Sequence, residues 1–211
     1  MTRILIADDH DVVREGLRRL LEAQPDCEVV AEARNGKDAI TKALETKPDI
    51  AVLDYSLPLV NGAEATRQIR SRLPKTEVLI FTMHDDEAIV ENLLRAGARG
   101  YVLKSDANGQ LLDAIDALAG HKTYFSSKVS EALLKSFTSR ESSEGSLVLT
   151  PRELQVVQLI AEGHSNKEIA KVLQISLKTV ETHRAAVMKK LNLSSAAALV
   201  RYAIKNKIVD A

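Results

Sequence analysis

The chain carries a single cysteine, Cys27, in 211 residues, which excludes an intramolecular disulfide and any multi-cysteine metal site and suits a reducing compartment. Cys27 itself reads as a small buried or half-exposed hydrophobe. Long apolar runs are lacking too. Met1-Thr2-Arg3 leads into a short apolar stretch that meets Asp8 and Asp9, too short for the core of a signal peptide. No later run approaches the roughly 20 residues that a bilayer span requires. A soluble cytoplasmic protein without a membrane partner is expected.

Net charge is also missing, but the zero conceals a division. Residues 1–145 carry 19 Lys+Arg against 24 Asp+Glu, a net −5, whereas residues 146–211 carry 10 against 5, a net +5. A compact basic segment behind an acidic one suggests a polyanion-binding module joined to something else, although a charged face is usually just solvated. What is present is ordinary for a folded chain: 45% hydrophobic and 27% charged residues argue against long disorder, and the length favours two domains.

The first part alternates short apolar runs with amphipathic stretches. The runs are Ile4–Ala7, Val29–Ala31, Ile50–Leu53, Val78–Phe81 and Tyr101–Leu103, and helices are predicted near 11–23, 36–46, 62–72, 86–96 and 107–119. In the first helix Val13, Leu17, Leu20 and Leu21 share one face. Strands buried on both faces read as continuous apolar runs, so five β–α repeats predict an α/β fold with a doubly wound five-stranded parallel sheet. Near residue 120 the pattern stops. Residues 121–147 read as a linker with one possible helix at 126–137 and a small, polar, Gly/Ser-rich stretch at 138–146.

From Thr150 the pattern is wholly helical. Thr150, Pro151 and Glu153 form a helix start, and that helix is predicted to run to Gly163. A short helix follows from Asn166 to Leu173 and a longer one from Ser176 through Leu191, with a last helix after Ser194 or Ser195. Two helices around a turn of three to four residues in a basic unit make a helix-turn-helix pattern. Ile169, Ala170, Leu173, Val180, Val187 and Leu191 read as its core.

Ligands of an open parallel sheet bind beyond the carboxyl ends of its strands, near the switch in strand order. Asp8 and Asp9 follow the first run, Asp54 the third and Thr82 the fourth, and Lys104 ends the fifth. Carboxylates gathered at one rim repel one another unless a cation lies between them, and oxygen-only ligands favour Mg²⁺. Singly, each residue has a duller reading: Asp8-Asp9 as a helix cap, Asp54 as a solvated strand end, Lys104 as a surface cation.

Residues 1–120, with Asp8-Asp9, Asp54 in Val52-Leu53-Asp54-Tyr55-Ser56-Leu57-Pro58, Gly62, Thr82, Tyr101 and Lys104, resemble the receiver domain of two-component response regulators, of flavodoxin/CheY-like fold. Residues 148–211, with Leu149–Leu154, Gly163–Ala170 and Ser176 through His183-Arg184, resemble the helix-turn-helix domain of the NarL/FixJ/LuxR type, a second, smaller all-α domain. The resemblance implies that Asp54 accepts a phosphoryl group from a sensor histidine kinase while Asp8, Asp9, Asp54 and the backbone carbonyl of Ser56 hold Mg²⁺. Positioning and charge stabilisation carry such chemistry, with the Lys104 ammonium as one clamp and the Thr82 hydroxyl as a donor. It further implies that Thr82 moves toward the phosphoryl group and Tyr101 turns inward, that Met83, His84 and Ser56 tune phosphoryl lifetime, and that the phosphorylated chain dimerises. Ser105 departs from the proline common after that lysine, which leaves the geometry of the loop open.

By the same resemblance the helix at 176–191 enters the major groove of double-stranded DNA at inverted or direct repeats, with Glu181, Thr182 and Ala185 toward bases and Asn166, Lys167, Lys178, Thr179, Arg184 and Lys189 toward phosphates. No enzymatic activity beyond slow self-dephosphorylation is expected. A Mg²⁺-dependent phosphotransfer enzyme is the rival from another class, but no nucleotide-binding glycine loop or substrate cap is apparent and the basic helices would go unused.

Overall fold

The computed structural model describes residues 1–126, 129–131 and 149–209. The chain forms two compact units, Met1–Ser142 and Ser143–Ala211. In the first, β1 (Thr2–Ala7), β2 (Cys27–Ala33), β3 (Ile50–Leu53), β4 (Glu77–Thr82) and β5 (Gly100–Leu103) alternate with α1 (Asp11–Glu22), α2 (Gly36–Thr46), α3 (Gly62–Arg72), α4 (Glu87–Ala96) and α5 (Ala107–Ala119). With β6 (Tyr124–Phe125), the sheet is wholly parallel, in the order β2-β1-β3-β4-β5-β6. The five expected strands are all present, and one short strand adds to them. It is only Tyr124–Phe125, paired with Gly100 and Tyr101, and lies in the stretch read as a linker. Two residues are too few for any periodicity to show.

Alternation along the strands divides the core. Ile4, Ile6, Val52, Leu79, Phe81 and Val102 pack on one face with Leu17 and Leu21 of α1 and Leu111, Ile115 and Leu118 of α5. Leu5, Leu53, Val78, Ile80 and Tyr101 face the other way, against Ala39 and Ala43 of α2, Ile69 of α3 and Val90 and Leu93 of α4. In α1 Leu17 and Leu21 are buried and Val13 packs against the same core, as the predicted face requires, whereas Leu20 stands 37% exposed and Arg14 is buried. The Arg14 guanidinium is held by the carbonyl oxygen of Asp8 and the carboxylates of Asp11 and Glu32. The Lys104–Ser105 peptide is trans. Of the possible helix at 126–137, Ser126 and Val129–Glu131 are described, with Val129 buried in the second core half; the rest, and the Gly/Ser-rich stretch, lie outside the described residues.

The second unit holds α6 (Pro151–Ala161), α7 (Asn166–Leu173), α8 (Leu177–Lys190) and α9 (Ala196–Lys205). Each begins on a hydroxyl cap: Thr150 and Ser165 form reciprocal capping boxes with Glu153 and Glu168, and Ser176 and Ser195 accept from the amides of Thr179 and Ala198. Gln174, in the left-handed region at φ +53°, ends α7, and only Ile175 and Ser176 separate it from α8. Val156, Val157, Leu159, Ile169, Leu173, Val180, Val187 and Leu199 form the core of the unit. Among the described residues no helix is long and apolar enough to cross a membrane.

Candidate functional site

Because β1 sends its chain to β2 on one side and β3 lies on its other side, the strand order reverses between β1 and β3. Asp8 and Asp54 leave the carboxyl ends of these two strands, and the Asp54 amide donates to the Ala7 carbonyl at 2.9 Å. Both carboxylates are buried, Asp8 at 0% and Asp54 at 4% exposure. The Lys104 ammonium, carried in just past β5, stands 2.6 Å from Asp54 Oδ2 and 2.7 Å from Asp8 Oδ2. The first contact is a hydrogen bond. Asp8 Oδ2 accepts no hydrogen bond of good geometry, so the second is an ion pair, which tolerates angles that a hydrogen bond does not.

The remaining bonds fix the loops. The Tyr55 amide donates to Asp54 Oδ1 at 2.6 Å and the His10 amide to Asp8 Oδ1 at 2.9 Å. His10 is the N-cap residue of α1, yet no side chain caps that helix, so the capping reading of Asp8-Asp9 does not hold. Gly62 is where it is because a Cβ there would stand 2.3 Å from the Asp54 carbonyl oxygen; any side chain would push the acidic loop aside. Its amide donates to the Tyr55 carbonyl at 2.8 Å.

Electrostatics follow from the crowding. Burial alone would lower the Lys104 ammonium, but the charges of Asp54 and Asp8 outweigh it and its pKa is raised. Burial raises the Asp9 carboxyl; the nearby His10 opposes this and the Asp8 and Asp54 charges add to it. Ligand atoms from Asp8, Asp9, His10 and Asp54 all lie within 4.8 Å of one another, a group able to hold a metal ion. Three carboxylates and an imidazole gathered this closely, with the Lys104 ammonium as their one lysine or arginine partner at both Asp8 and Asp54 among the described residues, fit a cation.

Thr82 is buried at the end of β4, and its hydroxyl oxygen accepts from the His84 amide at 3.4 Å. Tyr101 is already inward, wholly buried, its hydroxyl donating to the His84 carbonyl at 2.8 Å. Burial raises its phenol far above the ordinary value. Ser56 shares a 2.8 Å hydrogen bond with His84 Nε2. Two residues escape sequence reasoning: Arg14, a polar residue inside an amphipathic helix, and His10, whose only signal is its place directly after Asp8-Asp9.

On the second unit, Lys178, Glu181, Thr182, Ala185 and Lys189 are exposed at helical spacing along one face of α8. Thr179 and Arg184 are half-buried, the former tied to the Ser176 cap and the latter bonded at 3.3 Å to Asn166 Oδ1. Asn166, exposed Lys167, Glu181 and Arg184 line a groove of about 450 Å³ between α7 and α8. Lys190, next to exposed Lys189, turns back to Glu153 at 2.7 Å.

A doubly wound sheet with an acidic, lysine-bridged switch point, followed by a helix-turn-helix unit, defines a receiver joined to a DNA-binding domain. Residues 4–116 match the response regulator receiver domain family, and residues 147–203 match the luxR family of bacterial regulatory proteins. The chain is 42% identical over 216 residues to the oxygen regulatory protein NreC of Staphylococcus epidermidis, covering 99% of each. Among solved structures it is similar to RcsB from Salmonella enterica serovar Typhimurium bound to promoter DNA with the phosphomimetic BeF3−, at 29% identity and TM-score 0.67 over 95% of this chain and 97% of that one. A structure of two RcsB dimers bound to two parallel DNAs matches at 30% identity and TM-score 0.60, over 95% and 96%.

The chain belongs to the two-component response regulators, with a receiver and a LuxR-type DNA-binding domain, and it regulates transcription.

Proposed function

We propose that Asp54 is the phosphoacceptor and that its phosphorylation by a sensor histidine kinase sets the affinity of α8 for DNA. The observation that carries this reading is the Lys104 ammonium bridging Asp54 and Asp8, a fixed positive charge beside the candidate nucleophile. In the transfer, the N–P bond of a phosphohistidine breaks as a bond forms between an Asp54 carboxylate oxygen and phosphorus, and the electron pair leaves with the imidazole nitrogen. Lys104 neutralises the equatorial oxygens in the transition state and Thr82 donates its hydroxyl to the product. Asp8, Asp9, Asp54 and the Ser56 carbonyl would hold Mg²⁺, which supplies charge neutralisation on the phosphoryl oxygens when bound. The chain itself acts as acceptor rather than as an enzyme.

Tyr101 and His84 carry the switch in this reading. A phosphoryl group adds about −1.5 to −2 charge beside Thr82, and motion of the Thr82–His84 segment reaches Tyr101 through the His84 carbonyl. The receiver is taken as residues 1–120 extended by β6, the connection as the residues between β6 and 148, and the DNA-binding domain as 148–211. Dimerisation of the phosphorylated chain would match two-fold or repeated half-sites, and a DNA regulator of this family works in the cytoplasm. In the DNA-binding domain, Glu181, Thr182 and Ala185 would meet bases, while Asn166, Lys167, Lys178, Thr179, Arg184 and Lys189 meet phosphates. Intact-protein mass measurement with a small phosphodonor and Mg²⁺ tests the site: one phosphoryl adduct is expected on the wild type and none on Asp54→Ala, and an undiminished adduct in the variant overturns the assignment.

A further inference from the structure

Phosphoryl transfer at Asp54 employs Asp8 and Asp9 but not the imidazole beside them. His10 Nδ1 stands 2.9 Å from Asp9 Oδ1 and 3.2 Å from Asp8 Oδ1, and it belongs to the set of donor atoms lying within 4.8 Å of one another. Donors on one ion at about 2.1 Å are at most roughly 4.2 Å apart, so the set needs only a small contraction to close on a cation. Asp8 Oδ2 is buried and meets the Lys104 ammonium as an ion pair without hydrogen-bond geometry, so the carboxylate keeps lone pairs for a second cation. The histidine's main chain is anchored by its amide on Asp8 Oδ1, and its Nδ1 already faces both carboxylates while 62% of its side chain is exposed.

We propose that His10 supplies a nitrogen ligand to this cup, so that it binds first-row transition ions such as Mn²⁺ and Co²⁺ more tightly than a purely carboxylate site would. Mg²⁺ prefers oxygen donors and keeps several waters, so it leaves the imidazole outside its sphere. Imidazole raises affinity along the Mn²⁺ to Co²⁺ series. Ligation through Nδ1 places the ring proton on Nε2. The inference rests on the proposed metal cup.

The test is calorimetric titration of the full chain with MgCl2 and with CoCl2, for the wild type and His10→Asn, together with pulsed electron paramagnetic resonance of the Mn²⁺ form. Loss of an outer partner of a ligand already lowers metal affinity about 10–100-fold, so loss of the ligand itself should weaken Co²⁺ at least about tenfold. Mg²⁺ affinity should fall by a smaller factor than Co²⁺ affinity, because the variant loses no bond to Mg²⁺ itself. A ¹⁴N coupling should appear in the wild type and vanish in the variant, and excess Mg²⁺ should displace the Co²⁺. Intact Mg²⁺ binding with unchanged Co²⁺ affinity in His10→Asn overturns the histidine's role alone. So does tighter binding of both ions by the variant, the mark of a protonated imidazole competing with metal, or Co²⁺ that Mg²⁺ cannot displace. A wild type that binds no Mg²⁺ overturns the cup and this extension together.

Discussion

Ser56 Oγ and His84 Nε2 stand 2.8 Å apart, so one side-chain hydrogen bond fastens the loop after β3 to the loop after β4. The His84 ring also meets Tyr55 edge-on, with centroids 5.3 Å apart, and its carbonyl receives the Tyr101 hydroxyl. The acidic loop and the buried tyrosine are thereby joined through one residue. A double-mutant cycle of Ser56→Ala and His84→Ala, read by denaturant unfolding, should give a coupling of about 0.5–1.5 kcal/mol. Strict additivity would show the two side chains to be energetically independent.

Lys104 is the sole cation within ion-pair distance of both buried carboxylates among the described residues. Lys104→Ala should slow growth of the phosphoryl adduct by about 10²–10³-fold, the usual cost of deleting a positioned transition-state donor. Time-resolved mass measurement at saturating Mg²⁺ reads this directly, and a rate equal to wild type would remove Lys104 from the transfer step.

In the DNA-binding unit, the Glu153 carboxylate accepts from Lys190, the Thr150 amide and the Thr150 hydroxyl. The Lys190 ammonium first, and the Thr150 bonds with it, hold its pKa below the usual 4.5. A depressed carboxyl stabilises the fold fully above the unfolded value, and that contribution drains away as pH falls through the folded one. Wild type should therefore lose stability below about pH 4.5 more steeply than Glu153→Gln, as followed by circular dichroism in urea. Thr150→Ala should cost about 1 kcal/mol at neutral pH.

Lys189 and Lys190 adjoin in sequence but face different tasks. Lys189 is exposed beside Ala185 on the face proposed to meet DNA, while Lys190 closes on Glu153. Neutralising Lys189 should weaken binding across sequences and reduce the salt slope by about 0.9, whereas Lys190→Gln should lower stability and leave the slope unchanged. Equal slopes for Lys189→Gln and wild type would remove Lys189 from the phosphate contacts.

That contrast shows where sequence reading succeeds and where it stops. Strands such as Ile50–Leu53 are buried on both faces, so their apolar runs announce both the sheet and the strand ends at Asp8, Asp54, Thr82 and Lys104. Hydroxyl caps at Thr150, Ser165 and Ser176 likewise mark helix starts, because the physics is local. Arg14, Lys190 and His10 are not legible. Each is a polar residue whose direction depends on a partner distant in space or on a loop geometry, here Glu32, Glu153 and the turn after β1. The family resemblance makes Tyr101 a mover, yet its ring already fills the core, held by a backbone carbonyl that no sequence pattern encodes.

Control of the DNA-binding unit by charge added at Asp54 is read from DNA affinity at one fixed salt concentration. The probe is a duplex selected from a randomised pool by phosphodonor-treated protein, titrated with wild type and Asp54→Ala, each with and without phosphodonor and Mg²⁺. Wild-type affinity should tighten about 5–150-fold on treatment, the usual range of coupling between sites, with no change in Asp54→Ala. Equal wild-type affinity before and after stoichiometric phosphorylation, or the same tightening in Asp54→Ala, would show that Asp54 does not control DNA binding.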